Sequence, residues 1–205
     1  VVVARDPGDW FEEVLAGLAS QDYRNLWVLV VDTGHLPVAD RVAAILPDAR
    51  VVAARPTMTF GTAANRILED LGNPPVGGFY LFLRDDLVLA GTGVRRMLEA
   101  ALEVNAGIVG PKVLDGEDPT CLDDMGATVD RLGSPVARVD PGEADQGQHD
   151  GRLEVFASSE AAVMVRADLF AALGGFDVGI RSPDSHVDLC WRARLAGASA
   201  LLVPN

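Results

Sequence analysis

Apolar positions along this chain change period repeatedly, and each change marks an element. Val1 to Ala4 is a short unbroken apolar run, read as a strand. Trp10, Phe11, Val14, Leu15 and Leu18 then recur at helical spacing behind Asp9, a residue suited to cap a helix start. Leu26 to Val31 is continuously apolar, the mark of a strand buried on both faces. A helix over Val42 to Leu46 and a strand over Arg50 to Ala54 follow, then a helical stripe of Ala63, Ala64, Ile67, Leu68 and Leu71. Gly78 to Leu83 reads as a fourth strand, Val94 to Val104 as a helix and Gly107 to Gly110 as a fifth strand. Strands alternating with helices imply a parallel sheet joined by right-handed crossovers.

Beyond Pro111 the alternation stops. Residues 115 to 152 are rich in Asp, Gly and Pro, with brief extended patches such as Ala127 to Val129. An extended run over Val155 to Val165 precedes a helix from Asp168 to Leu173, which Gly174-Gly175 should stop. A last helix over Val187 to Ala196 ends at Gly197, and Ala200 to Val203 reads as a final strand. The expected fold class is therefore α/β, a mostly parallel central sheet flanked by helices. Residues 1–205 are expected to form one domain, with a nucleotide-binding half over 1–111 and a more irregular half over 112–205.

Charge sharpens this picture. The 205 residues carry 17 basic and 30 acidic side chains, a formal charge of −13. Such a balance disfavours nucleic-acid binding, which needs a basic face, and a polybasic membrane surface. Ten acidic residues and two arginines, Arg131 and Arg138, lie between Asp115 and Asp150, so much of the excess falls in the irregular half. The region of the strand ends should be sparsely charged, apart from carboxylates that a cation would neutralise. Lys112 is the single lysine. Cys121 and Cys190 are far apart in sequence and suggest neither a zinc site nor a disulfide framework. No apolar run approaches the ~18 residues of a membrane-spanning helix, and no basic-then-apolar leader is present.

Ligands of open α/β sheets bind beyond the carboxyl ends of the strands. Asp32 stands at one such end and the pair Asp85-Asp86 at another. Adjacent carboxylates there are either solvated loop acids or hard oxygen ligands for Mg²⁺ or Mn²⁺. Other motifs fall short. Gly91-Thr92-Gly93-Val94-Arg95-Arg96 lacks the last glycine of a dinucleotide loop, and the three histidines are scattered. Arg55 and Arg66 could face a diphosphate, with surface arginines the commoner explanation.

The order of these pieces is similar to a known pattern. Leu18 to Leu26 (LASQDYRNL) with Val28 to Gly34 (VLVVDTG), Phe60 to Arg66 (FGTAANR), and Tyr80 to Leu89 (YLFLRDDLVL) come first. Ala106 to Lys112 (AGIVGPK), Leu173 to Asp177 (LGGFD) and Val187 to Gly197 (VDLCWRARLAG) follow in the same order. On these segments the chain resembles the family 2 glycosyltransferases, whose fold is GT-A, across nearly its whole length. The resemblance lies with the amino-terminal domain of large actinobacterial members, so a fragment of a longer chain is expected.

The resemblance implies an enzyme that moves a sugar from a nucleotide-sugar donor to a glycan, lipid-linked or cell-envelope acceptor. A divalent metal, Mg²⁺ or Mn²⁺, assists, and the anomeric carbon inverts. It implies that Ala4, Arg5, Asp6 and Asp32 hold the nucleotide, with Asn65, Arg84 and Asp85 counted among the donor-binding residues. Asp86 would ligate the metal. It further implies a cytoplasmic site of action, at the inner face of the membrane where other parts of a longer protein tether it.

Two departures from the pattern bear on activity. Arg84 replaces an Asn or Asp, so that its guanidinium either contacts phosphate or repels the metal. The family's Gly-Glu-Asp before the last helix reads Asp184-Ser185-His186, which makes His186 or Asp184 the candidate base. The alternative implied is a degenerate domain that acts as a binding or assembly module. The family continues past Asn205 toward a histidine that completes the metal site.

Overall fold

The computed structural model describes residues 1–72, 75–180 and 184–204. Its elements run β1 (Val2–Ala4), α1 (Phe11–Ala19), β2 (Leu29–Asp32), α2 (Ala39–Ile45), β3 (Arg50–Ala53), α3 (Phe60–Ala64), α4 (Arg66–Leu71), β4 (Phe79–Arg84), α5 (Gly93–Val104) and β5 (Ile108–Pro111). There follow β6 (Val113–Leu114), β7 (Leu122–Asp124), β8 (Ala127–Val129), β9 (Pro135–Ala137), β10 (Leu153–Val155), β11 (Ala162–Arg166), α6 (Ala167–Ala172), α7 (Ser185–Leu195) and β12 (Ala200–Val203).

Eight strands form one sheet in the order β10-β12-β5-β11-β4-β1-β2-β3. Four of its seven neighbouring pairs are parallel, and three are antiparallel: β11 with β4, β11 with β5, and β10 with β12. The sheet is therefore mixed. The antiparallel strand β11 lies between β4 and β5, so the irregular half of the chain contributes a strand to the middle of the sheet.

Side-chain alternation along the central strands creates two cores. Val2, Ala4, Val30, Leu81, Leu83 and Met164 face a layer that includes Phe11, Val14 and Leu15 of α1 and Val94 and Met97 of α5. Val3, Leu29, Val31, Tyr80, Phe82, Val163 and Val165 face the layer of α3, α6 and α7. Helices on both faces explain why these strands read as unbroken apolar runs rather than alternating ones.

Several boundaries differ from the sequence pattern for identifiable reasons. Leu26 to Val28 lie outside β2, and Trp27 is 87% exposed, so an apolar run overstated the strand. Helix α1 is capped at Trp10 without a side-chain bond; Asp9 stands one residue too early to cap it. Arg41 instead ties down that entrance, donating to the carbonyls of Pro7 and Gly8 and pairing with Glu12. Thr59 is the cap sequence reading missed: its Oγ1 accepts from the Thr62 amide at the start of α3. The 63–71 stripe divides at Asn65 into α3 and α4. Of the 155–165 run only Val155, the end of β10, and Ala162 to Val165, in β11, lie in strands. Gly174 and Gly175 stop α6 at φ +76° and +78°, as their sequence predicted.

Candidate active site

Because β4, β1 and β2 are parallel neighbours, their carboxyl ends meet at one edge of the sheet. Register pairs Ala4 with Asp32 and Val3 with Arg84. The predicted donor residues Ala4, Arg5, Asp6, Asp32, Arg84, Asp85 and Asp86 are thus gathered from three segments of sequence. Hydrogen bonds lock the three ends together. The Arg5 amide donates to Asp85 Oδ2 at 2.7 Å, and the Ala4 carbonyl accepts from both the amide and the hydroxyl of Thr33, at 2.8 and 3.0 Å.

Asp6 and Asp32 shape the loop after β2. Asp6 adopts φ +46°, and its Oδ1 accepts from the amides of His35 (2.7 Å) and Leu36 (2.9 Å). The His35 ring lies 3.0 Å from the other oxygen. The His35 hydrogen bond, then the Leu36 amide, hold the Asp6 carboxyl down at about 2. Gly34 permits this approach, since a Cβ there would lie 2.7 Å from Asp6 Oδ1. Asp32 is buried and accepts from the amides of Gly34 and Val38, at 2.9 and 3.1 Å. Both carboxylates therefore fix the loop's backbone. A carboxylate oxygen has further lone pairs, so these bonds do not exhaust either side chain.

At the end of β4 a guanidinium closes on a carboxylate. Arg84 makes a two-point contact with Asp86, Nε to Oδ1 at 3.0 Å and Nη2 to Oδ2 at 2.5 Å. Burial raises the Asp85 carboxyl, with Asp86 adding to the effect while the Arg5 amide opposes it. Asp123, on β7, comes into the same field: burial raises its carboxyl, Asp124, Asp115 and Asp86 add to this, and Arg84 opposes it. Glu160 likewise acts on Arg84. Sequence reading placed the 115–150 acids away from this edge, and Asp123 corrects that. No local pattern marks Asp123, because it lies 38 positions from Asp85 in sequence and the two come together only through the fold.

Asn65 has a different position from the rest. Its Nδ2 donates to the Phe176 carbonyl and its Oδ1 accepts from the Phe176 amide, both at 2.8 Å. Phe176 in turn joins Phe60, Phe82 and Phe170 in a cluster with centroid separations of 5.2–6.0 Å from it. This cluster links β4 to the segment leading into α7. Asn65 thus joins α3 to the Gly174-Gly175 turn, and the structure does not bring it to the Asp85-Asp86 end by any bond.

Of the two candidate bases, Asp184 lines a recess elsewhere and His186 is not among its lining residues. Leu132, Gly133, Ser134, Pro135, Ile180, Asp184, Val187, Asp188 and Trp191 line an open recess of about 370 Å³ beside the start of α7. Asp184 is exposed at the cap position of α7, and its side chain makes no capping bond. His186 is half-buried. Ser185 is fully buried, and its hydroxyl has no hydrogen-bond partner among the described residues. Asp188 pairs with Arg192 at 2.6 Å, and Arg192 also donates to the carbonyls of Leu173 and Gly175. Trp191, edge-on to Phe156, gives the recess an aromatic wall. Among the described residues no group of three or more His, Cys, Asp or Glu is arranged to hold a metal, and both cysteines are free. No helix among them is long and apolar enough to cross a membrane.

No family model matches the chain. Among characterised proteins it is 25% identical over 236 aligned positions to the N-acetylglucosaminyl-diphospho-decaprenol L-rhamnosyltransferase of Mycobacterium tuberculosis, covering 100% of this chain and 73% of that protein. Among solved structures it superposes on the mannosyltransferase PcManGT from Pyrobaculum calidifontis in complex with GDP-Man and Mn²⁺, at TM-score 0.65 and 18% identity. It also superposes on GalNAc-T7 with UDP, GalNAc and Mn²⁺ at TM-score 0.75 and 12% identity, and on S. aureus TarS 1-349 at 0.63 and 14%. These matches cover 98–100% of this chain and 53%, 40% and 56% of the respective structures, so the chain spans about half of the solved proteins it resembles. The chain is thus a GT-A-like domain, with the fold these glycosyltransferases share and a sequence resembling family 2 along its length.

Proposed function

We propose that the chain is a glycosyltransferase that moves a sugar from a nucleotide-sugar donor to a glycan, lipid-linked or cell-envelope acceptor, inverting the anomeric carbon. The observation that carries this reading is the gathering of Arg5, Asp6, Asp32, Arg84, Asp85 and Asp86 at one sheet edge of a GT-A fold. The M. tuberculosis relative, named for transfer to a lipid diphosphate, supports a lipid-linked acceptor. A cytoplasmic site, at the inner membrane face, fits where such donors are supplied.

Each part of the site has work suited to its chemistry. Arg5, Asp6 and Asp32 would position the nucleoside on the loop they hold. The acceptor oxygen forms a bond to the anomeric carbon as the bond from that carbon to the phosphate oxygen breaks. The electron pair leaves with the nucleoside diphosphate, and the acceptor hydroxyl proton passes to a base. Asp184 suits that role better than His186, because it is exposed and lines the recess beside Trp191. An acceptor sugar could stack on Trp191 there.

Asp85 and Asp86 are adjacent hard carboxylates, the ligand type a divalent cation takes, with the Arg84 guanidinium against Asp86. Asp86, supported by Asp85, would hold Mg²⁺ or Mn²⁺, which when bound supplies neutralisation of the diphosphate charge.

A second reading, a binding or assembly module, is favoured by one observation. Ser185 stands where the resemblance calls for an acid, and its hydroxyl is buried without a partner among the described residues. Donor binding by calorimetry, with turnover measured on a lipid-diphosphate acceptor, separates the two. Asp184→Ala should abolish turnover while donor affinity stays within about twofold. Donor binding without turnover in the unmodified protein would establish the module reading, and no binding of UDP-, GDP- or dTDP-sugars would sink both.

A further inference from the structure

Resting on the reading of the recess beside Trp191 as the acceptor's place, we infer that an apolar ridge of Leu132, Trp191 and Leu195, with Arg131 at its end, seats the lipid diphosphate of that acceptor. The hydrocarbon lies along the ridge, and the diphosphate meets the Arg131 guanidinium.

The ridge is built by the β8–β9 hairpin and α7. Leu132 stands in the turn between the two strands and is 91% exposed. That turn is firmly held. Asp130 Oδ1 accepts from the amides of Leu132 and Ser134 at 2.8 and 2.9 Å, and the Gly133 amide donates to the Asp130 carbonyl at 3.1 Å. An apolar side chain on a fixed tip binds without the ordering cost that a slack loop would add. Gly133, at φ +85°, sits against α7, where a Cβ would lie 3.4 Å from the Trp191 ring. Trp191 and Leu195 are four positions apart on α7 and so share a face, at 41% and 78% exposure. Exposed large apolar side chains grouped in this way mark an interaction surface.

Two observations select the occupant. Leu132 and Trp191 belong to the recess as well as to the ridge, so a molecule whose sugar enters the recess carries its remaining part onto the ridge. More glycan would find three apolar side chains there, whereas a hydrocarbon chain would leave water against them. Arg131, beside Leu132, is exposed and makes no ion pair among the described residues, while the Asp130 carboxylate is turned onto its own backbone. A guanidinium next to an exposed leucine matches a phosphate joined to a hydrocarbon.

Calorimetry with farnesyl diphosphate below its micelle concentration, with and without saturating UDP, GDP or dTDP, tests this. Farnesyl diphosphate should bind equally in both conditions and more tightly than farnesol or inorganic pyrophosphate. It should also change the tryptophan fluorescence, a change lost in Trp191→Phe. Leu132→Asp and Leu195→Asp should each weaken binding about tenfold. Arg131→Gln should weaken it about threefold and leave farnesol binding unaltered. All three positions are exposed, so melting temperatures should stay within about 2 °C of the unmodified chain. Unchanged affinity in both aspartate variants would overturn the inference, as would displacement of farnesyl diphosphate by a nucleotide. Leu132-dependent binding to phosphatidylcholine–phosphatidylglycerol vesicles, with no binding of farnesyl diphosphate in solution, would replace it with a bilayer contact. If Asp184→Ala keeps its turnover while the ridge variants lose farnesyl diphosphate, the acceptor reading of the recess falls and the ridge stands. If Asp184→Ala loses turnover and the ridge variants keep full affinity, the inference falls and that reading stands.

Discussion

Asn65→Ala is expected to destabilise the fold without greatly weakening donor binding, and the size of the effect follows from Phe176. The amide and carbonyl of Phe176 lose both partners at once, each now at 2.8 Å, beside a side chain that is 2% exposed. A made hydrogen bond contributes about 1 kcal/mol net, and a buried group left unsatisfied costs about 1–3 kcal/mol. Water reaching the partly buried site would recover some of this, so the expected loss is about 2–4 kcal/mol. For a domain near this size that is a fall of roughly 5–15 °C in melting temperature. Urea unfolding with an unchanged slope would show that the loss lies in stability rather than in compactness. Asn65→Asp retains the acceptor for the Phe176 amide but sets a carboxylate against its carbonyl, so it should lose at least as much. Refutation would be an Asn65→Ala protein within about 0.5 kcal/mol of the unmodified chain. A tenfold loss of donor affinity at unchanged stability would restore Asn65 to the donor site.

Four further outcomes are expected. Removing the Arg192 guanidinium with Arg192→Met should lower stability by about 2 kcal/mol in chemical denaturation, because three groups lose a charged partner: Asp188 and the carbonyls of Leu173 and Gly175. Lys112, with a side chain 1% exposed, holds Asp145 and Asp150; burial alone would lower its ammonium, but the two carboxylates outweigh it and raise it. Lys112→Met should therefore speed amide exchange over residues 143–151 while leaving that of the β4 amides unchanged. The Asp6 carboxyl sits at about 2, below its unfolded value, so what it contributes to the 33–38 loop is present above pH ~4 and lost as pH falls toward 2. The His35 and Leu36 amide resonances should shift over that window in the unmodified chain and be insensitive to it in Asp6→Asn. Burial pushes the Cys190 thiol up to about 11, so a thiol reagent at pH 8 should leave it unmodified until the protein unfolds.

In the irregular half local patterns stop being informative. Val155 to Val165 reads as one extended run, yet Val155 ends β10 at the edge of the sheet while Ala162 to Val165 belong to β11, between β4 and β5. Periodicity reports burial of a segment and carries no information on which neighbour buries it. The same limit applies to Asp123, whose proximity to Arg84 and Asp86 depends on how the 112–124 segment returns across the sheet edge. Arg192 was legible only as part of a helix, since the carbonyls it binds belong to a turn 17 and 19 positions earlier.

By itself the sequence determined the alternation of strands and helices in its first half, the glycine stop after α6, and the placement of Asp32 and Asp85-Asp86 at strand ends. Those features depend on neighbours a few residues apart, where periodicity and turn stereochemistry act directly. The tertiary structure decided that the sheet is mixed and that Asn65 grips Phe176. It also decided that Asp6 and Asp32 hold a loop, that Arg84 closes on Asp86, and that Asp184 opens into a recess. Each of these is a contact whose partner is set by chain topology or by the direction a side chain takes, and neither is written in local spacing.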